Sequence, residues 1–291
     1  MGQLTIPARL ADGCAGQPAR QDWLARLPGV ISAFAASWRL SVGAPFEPGG
    51  ACSWVAPART ARGERRVLKV MWRHPEAEHE ADALRLWAGA GAVRLHAFER
   101  TADTDVMLLE RCVPGTALRE LPEPEQDEII CTVLRRLWRE PPAVPEFPAL
   151  TAMCGYWADR YEERRSARRP PEPGLDPGLV RAGLALFREL PVTAGHSVVL
   201  ATDLHGENVL SATREPWLAI DPKPHVGDPA YDPLQHMINC DRLVTDPVGL
   251  ARRIAQLLDL DPGRMRRWLF ARCVIDSDQP ELAAAAVALA P

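Results

Sequence analysis

The sequence predicts an α+β chain of two lobes, a small β-rich one followed by a larger, mainly helical one. Three observations carry that expectation. Apolar alternation broken by turn residues fills the first third of the chain. Apolar residues at helical spacing dominate after Pro114-Gly115. Residues 198–221 then read as β again, inside the helical part.

In chain order, Trp38 to Ala58 reads as strand, turn and strand, with PFEPGG as the break. RVLKVMW, 66–72, is a third strand. Pro75 opens a helix, because proline suits a first turn, and Gly89 and Gly91 end it. GAVRLHAFE and DVMLLER supply two more strands. Five strands and one helix thus occupy roughly residues 36–112, and the division into lobes is expected at 1–112 and 113–291. Helices follow at 123–139, 148–168, 176–190, 230–240, 247–258, 262–275 and 278–290, with a proline-rich loop over 164–178.

Composition narrows the function. The chain has 291 residues, 47% of them hydrophobic and 25% charged, enough to bury a substantial core. A net charge of −4 argues against a general nucleic-acid binder and suits a cationic small molecule better. The 7 cysteines are scattered, without a Cys-x-x-Cys pair, which fits neither a disulfide framework nor a zinc site. Free thiols suit a reducing cytoplasm. The N-terminus lacks the apolar run of a secretory signal, and no apolar run approaches the ~20 residues of a membrane span.

Only two of the 34 basic residues are lysines, Lys69 and Lys223. An arginine bias that acts along the whole chain makes these exceptions informative. Lys69 lies in the third strand. Lys223 lies just past ATDLHGENVL and WLAIDPKP, which place Asp203 and Asn208 around a tight turn and Asp221 at a strand end. Two strands joined by the intervening turn would bring Asp221 beside Asn208. A carboxylate and an amide oxygen are hard ligands suited to Mg²⁺. Asp203, just outside that shell, could take a proton from an attacking hydroxyl. Taken singly, these residues would serve as turn formers and a strand end.

Asp203-x-x-x-x-Asn208 followed by Ile220-Asp221 resembles the catalytic loop of the aminoglycoside phosphotransferase family. ATDLHGENVL with WLAIDPKPHVGDPAYDPLQHMINC resembles the streptomycin 6-phosphotransferase and hydroxyurea phosphotransferase group, and the resemblance covers most of the chain, from about Trp38 to Cys240. The resemblance implies a protein-kinase-like bilobal fold, with a five-stranded antiparallel nucleotide-binding lobe and a helical catalytic lobe. It implies transfer of phosphate from ATP, with Mg²⁺, to a hydroxyl of streptomycin or of another small cationic substrate, in a cytoplasmic monomer. Hydroxyurea or another small metabolite is the alternative acceptor, and a nucleotide-binding pseudokinase the alternative class.

By the same resemblance Asp203 is the catalytic base, Asn208 and Asp221 hold the metal, and Lys69 binds the α/β-phosphates. Glu80 is the expected partner of Lys69, with Glu78 or Glu76 as substitutes. Gly49 and Gly50 belong to the loop over the phosphates. The hinge, Leu109 to Val113, includes Glu110 and Cys112 and would meet adenine. Lys223 would neutralise charge on the transferring group, or else pair with Asp228 or Asp232. Those two aspartates are expected to buttress the catalytic loop through backbone N–H groups. The sequence departs from the family at Ala201, where a histidine is usual.

Overall fold

A computed structural model describes residues 5–142, 147–167 and 175–290. The chain forms two compact units, Met1–Gly115 and Thr116–Pro291.

The first unit is built on a five-stranded sheet in the order β1-β2-β3-β5-β4. Its strands are β1 (Leu40–Val42), β2 (Ser53–Thr60), β3 (Arg65–Trp72), β4 (Leu95–Arg100) and β5 (Thr104–Glu110). All neighbouring pairs are antiparallel, and Lys69 sits opposite Val55 on one side and Met107 on the other. The helix expected after Pro75 begins as a 3₁₀ turn and continues as an α-helix over Glu80–Trp87. Ala88 and Gly89 then take left-handed backbone, which stops it.

Two helices ahead of the sheet were not read from the sequence. These are α1 (Ala8–Cys14) and α2 (Pro18–Ser37), which make the Glu80–Trp87 helix α3. In α2, Trp23, Leu27 and Ile31 recur every four residues and form one buried stripe. That stripe packs with Leu10 and Cys14 against Trp54, Ala56, Ala58, Leu68, Val70 and Val106 of the sheet. The indole N–H of Trp23 donates to Thr104 Oγ1 at 2.9 Å, so the one polar atom of the ring is satisfied. Covering one face of the sheet in this way leaves the alternate residues, Val67 and Lys69, on the opposite face.

Strand β6 (Pro114–Ala117) carries the chain across the boundary. The second unit contains α4 (Glu123–Leu137), α5 (Leu150–Ala167), α6 (Pro177–Glu189), β7 (Val198–Leu200), β8 (Val209–Ala212), β9 (Trp217–Ala219) and β10 (His225–Gly227). It ends with α7 (Leu234–Ile238), α8 (Arg242–Thr245), α9 (Pro247–Leu258), α10 (Pro262–Ile275) and α11 (Pro280–Leu289). The loop expected at 164–178 is partly helix, since α5 runs to Ala167, and residues 168–174 lie outside the described residues.

Helix α10 is the centre of this unit. Met265, Trp268, Leu269, Phe270, Cys273, Val274 and Ile275 are all fully buried. Helix α6 crosses it closely, because Gly183 faces Val274 where an added Cβ would lie 2.5 Å from the valine methyl. Trp268 meets Phe187 and Tyr231 edge to face, with the Tyr231 and Trp268 rings 5.1 Å apart. Among the described residues no helix is long and apolar enough to cross a membrane.

Because Trp23 is wholly buried against the sheet, Trp23→Ala should lower the stability of the first unit by about 3–5 kcal/mol. Urea denaturation followed by circular dichroism checks this, and an unchanged midpoint would contradict the packing role.

Candidate active site

In the first unit, Lys69 projects from β3 toward Glu80 at the start of α3. Its Nζ lies 2.8 Å from Oε1 and 2.7 Å from Oε2, and both residues are buried. Glu78 is engaged elsewhere, with Arg73 at 3.3 Å. A buried pair of this kind holds the ammonium in one place, at a desolvation cost that favours a further anionic partner. Gly49 takes φ +73°, and a side chain there would press on Pro7 at 3.0 Å, so its glycine is already required by local packing. At Gly50 an added Cβ would meet Ser53 Oγ at 2.9 Å. Cys112 is buried. Glu110 directs its amide N–H to the Arg94 carbonyl at 2.8 Å and accepts the Arg94 N–H at 3.0 Å, so its main-chain donor is used inside the sheet.

In the second unit, β7 ends at Leu200 and the chain turns sharply. Thr202 has φ +52°, a left-handed conformation that a threonine adopts only when its surroundings enforce it. Asp232 does the enforcing. Its carboxylate accepts the Ala201 N–H at 3.0 Å, the Thr202 N–H at 2.7 Å and the Trp138 indole N–H at 2.9 Å. Burial pushes the Asp232 carboxyl up to about 6, and those three donors pull against it. Ala201, at the place of the usual histidine, is itself buried and spends its N–H on this carboxylate. Asp228 does not reach the loop that carries Asp203. It caps its own 3₁₀ turn through Ala230 N and takes the Arg264 Nε and Trp268 Nε1 donors at 2.6 and 2.5 Å.

Past that turn, the Asn208 Nδ2 donates to the Asp203 carbonyl at 2.9 Å, which leaves Oδ1 as the end suited to a cation. Strands β8 and β9 form a hairpin with Val209 opposite Ala219, and Ile220 N–H donates to the Asn208 carbonyl at 2.9 Å. The hairpin therefore returns Asp221 to the side of Asn208, with φ +53° at Asp221. A carboxylate and an oriented amide oxygen on adjoining strand ends are a donor set that fits Mg²⁺.

Lys223 pairs with Asp203, Nζ to Oδ2, at 2.6 Å, not with Asp228 or Asp232. Its backbone is fixed as well, since Lys223 N–H donates to the Ala201 carbonyl at 2.9 Å. The structure thus brings together Asp203, Asn208, Asp221 and Lys223 in one unit, and Lys69 and Glu80 in the other. His205 stands beside Asp203, and burial lowers its pKa against the pull of Asp203 and Glu207.

Asp276 pairs with Arg272 at 2.6 Å and Asp278 with Arg164 at 3.7 Å. Asp241 and Glu281 are exposed. Of the aromatic residues of α5, Tyr161 is buried, whereas Tyr156 is exposed and packs edge to face on Trp157 at 5.5 Å.

One cluster escaped sequence reasoning. Buried Asp127 on α4 accepts from His236 Nε2 at 2.9 Å, Arg242 Nη2 at 2.8 Å and Arg253 Nε at 2.8 Å. Burial alone would raise the Asp127 carboxyl, but these bonds outweigh it and hold it down at about 2. Cys240 lies beside His236, and its thiol is pushed up to about 12 by burial. Asp127, His236 and Cys240 are close enough to share an ion. Two guanidiniums already occupy the carboxylate, so the cluster is an ion-pair hub and not a metal centre. An aspartate at helical spacing carries no sequence signal for such a role.

The fold around these residues is that of the protein-kinase-like phosphotransferases. Choline kinase from Streptococcus pneumoniae matches with a TM-score of 0.60 at 14% identity, over 91% of this chain and 96% of that one. The macrolide 2'-phosphotransferase of Brachybacterium faecium matches with a TM-score of 0.55 at 17% identity, over 90% and 97%. The chain belongs to the aminoglycoside/hydroxyurea antibiotic resistance kinase family, whose model matches residues 39–279. It is 34% identical to streptomycin 6-kinase of Streptomyces griseus, over 92% of this chain and 88% of that one. It is 33% identical to hydroxyurea phosphotransferase of Kitasatospora aureofaciens, over 92% and 78%. The expected kinase-like fold and family resemblance are thereby borne out, and the chain is a phosphotransferase.

Two variants test the supports of the site. Asp232→Asn places an amide N–H₂ against three buried donors. It should cost roughly 1–3 kcal/mol for each donor left unpaired and lower kcat more than tenfold, read by thermal melting and steady-state kinetics together. For Asp127 the folded pKa, about 2, lies below the ordinary 3.8. Its stabilisation, about 2 kcal/mol, is therefore complete above pH 4 and lost as pH falls from 4 toward 2. Asp127→Asn should flatten that acid limb in denaturant titrations run at a series of pH values.

Proposed function

We propose that this chain transfers the γ-phosphoryl group of ATP to a hydroxyl of streptomycin. The observation that carries the reading is the Asp203, Asn208, Asp221 and Lys223 constellation, in a chain 34% identical to a streptomycin 6-kinase over 92% of its length.

In this reading the acceptor oxygen attacks the γ-phosphorus as Asp203 Oδ2 takes its proton. The bond from that phosphorus to the β–γ bridging oxygen breaks, and ADP leaves. Lys223, 2.6 Å from the carboxylate, orients Asp203 and offsets charge on the transferring group. Lys69, held by Glu80, binds the α/β-phosphates, because a compact ammonium fits between oxygens where a planar guanidinium does not. Asn208 Oδ1 and the Asp221 carboxylate would hold Mg²⁺, which when bound neutralises phosphate charge. Gly49 and Gly50 shape the loop over the phosphates, and the hinge with Glu110 and Cys112 meets the base. The enzyme acts as a monomer in the cytoplasm, where its thiols stay reduced; six of the seven are buried.

The deciding experiment is ADP release from Mg-ATP with and without streptomycin, followed by mass spectrometry of the acceptor. Streptomycin carrying one phosphate is the expected product. Turnover that depends on hydroxyurea alone would overturn the choice of acceptor. Asp203→Ala should lower turnover by 10²–10⁴-fold while Mg-ATP still binds, and full activity in that variant would remove Asp203 from the mechanism.

A further inference from the structure

A cavity of about 370 Å³ opens within the first unit, at the hinge end of the sheet. Val42, Pro57 and Val113 give it apolar walls, and Arg59, Arg65, Arg66 and Arg111 give it charge. Pro57, Arg59 and Arg65 line it from the sheet face that carries Lys69. Pro57 sits opposite Val67, and Val55 sits opposite Lys69. The cavity wall is therefore two residues, roughly 7 Å, along the strand from the partner of Lys69. A nucleotide with its base in the cavity would run its phosphates toward that lysine.

The arginines are not equivalent. Arg59 donates to the Gly63 carbonyl at 3.3 Å, and Arg66 meets Glu64 at 3.2 Å. Arg65 and Arg111 have no carboxylate partner among the described residues. The guanidinium of Arg111 is stacked on the Phe46 ring, 4.4 Å from its centre, and Phe46 is itself fixed by a 2.8 Å bond from its N–H to the Val55 carbonyl. Arg111 Nη1 is buried and has no hydrogen-bond partner. Burial and the like charge of Arg65 both weigh against the Arg111 cation. A buried donor of this kind costs free energy until something accepts from it.

Guanidinium only donates. The edge of adenine beside N7 carries an amino group, a second donor. Guanine and hypoxanthine carry a carbonyl there, so O6 and N7 accept side by side and match the planar fork. From the unpartnered, stacked Arg111 in this cavity we infer that the chain takes purine nucleotides bearing a 6-carbonyl, GTP and ITP, as phosphoryl donors alongside ATP. The inference rests on the kinase reading above and adds to it which base is recognised and by which residue.

Calorimetric titration of the purified chain with ADP, GDP and IDP in Mg²⁺ tests it, and streptomycin phosphorylation with the three triphosphates accompanies the binding data. GDP and IDP should bind at least as tightly as ADP. Arg111→Leu should weaken GDP and IDP about tenfold more than ADP. Arg111→Lys keeps the charge and the stem but loses the fork, and should show the same selective loss, which separates recognition from misfolding. ADP binding more than tenfold tighter than both others would overturn the inference and leave the kinase reading standing. So would tight GDP with weak IDP, since that difference lies in the 2-amino group, or an equal loss of all three nucleotides in both variants. Failure of every nucleotide to bind would overturn the kinase reading as well.

Discussion

The second unit depends on one buried carboxylate. Asp232 holds Ala201 and Thr202 in a turn that the backbone would not adopt by itself, and it takes the Trp138 indole as well. Everything downstream inherits that geometry. Asp203 follows the turn directly, its carbonyl orients the Asn208 amide, and the Ala201 carbonyl fixes the backbone of Lys223. Asp232 is in turn located by its neighbours. Tyr231 packs on Trp268 of α10, and Asp228 binds the same indole. The most deeply packed helix of the unit is thus linked to its most strained loop through five residues, 228–232. This is a common division of labour, in which a rigid core over-determines an unusual backbone.

The first unit solves a different problem. A sheet that carries a buried ion pair on one face is stabilised by apolar packing on the other. The α1–α2 pair does this, placing three large buried side chains, Trp23, Leu27 and Ile31, against the strands. Lys69 and Glu80 form a buried ion pair, and the apolar surface buried in the same unit, including Leu84 and Trp87 of α3, helps offset its desolvation.

Much of this was legible in the sequence, for identifiable reasons. The five strands announced themselves by alternation. The main helices of the second unit did so by spacing and by proline at their starts, as in α6, α9, α10 and α11. The strand-loop-strand around Asp203 was readable because glycine and asparagine mark its turn. Helices α1 and α2 were missed because Pro28 interrupts α2 and its apolar residues spill beyond one stripe. The partner of Lys223 was missed because side-chain pairing across a loop leaves no periodic trace. Asp228 and Asp232 looked alike in GDPAYD, yet one binds the core and the other the turn at Ala201-Thr202. Only the path of the chain separates them.

The scarcity of lysine has a practical side. Besides the α-amine, the chain offers two primary amines. One is buried against Glu80, and the other, with a third of its side chain exposed, lies on Asp203. Reagents that act on amines, such as succinimidyl esters, cyanate or glutaraldehyde, have almost no inert surface sites here on which to exhaust themselves. Labelling or immobilising this protein through its lysines is therefore chemistry carried out on Lys223 and the loop that carries Asp203. A handle placed on an introduced surface cysteine would leave that loop untouched.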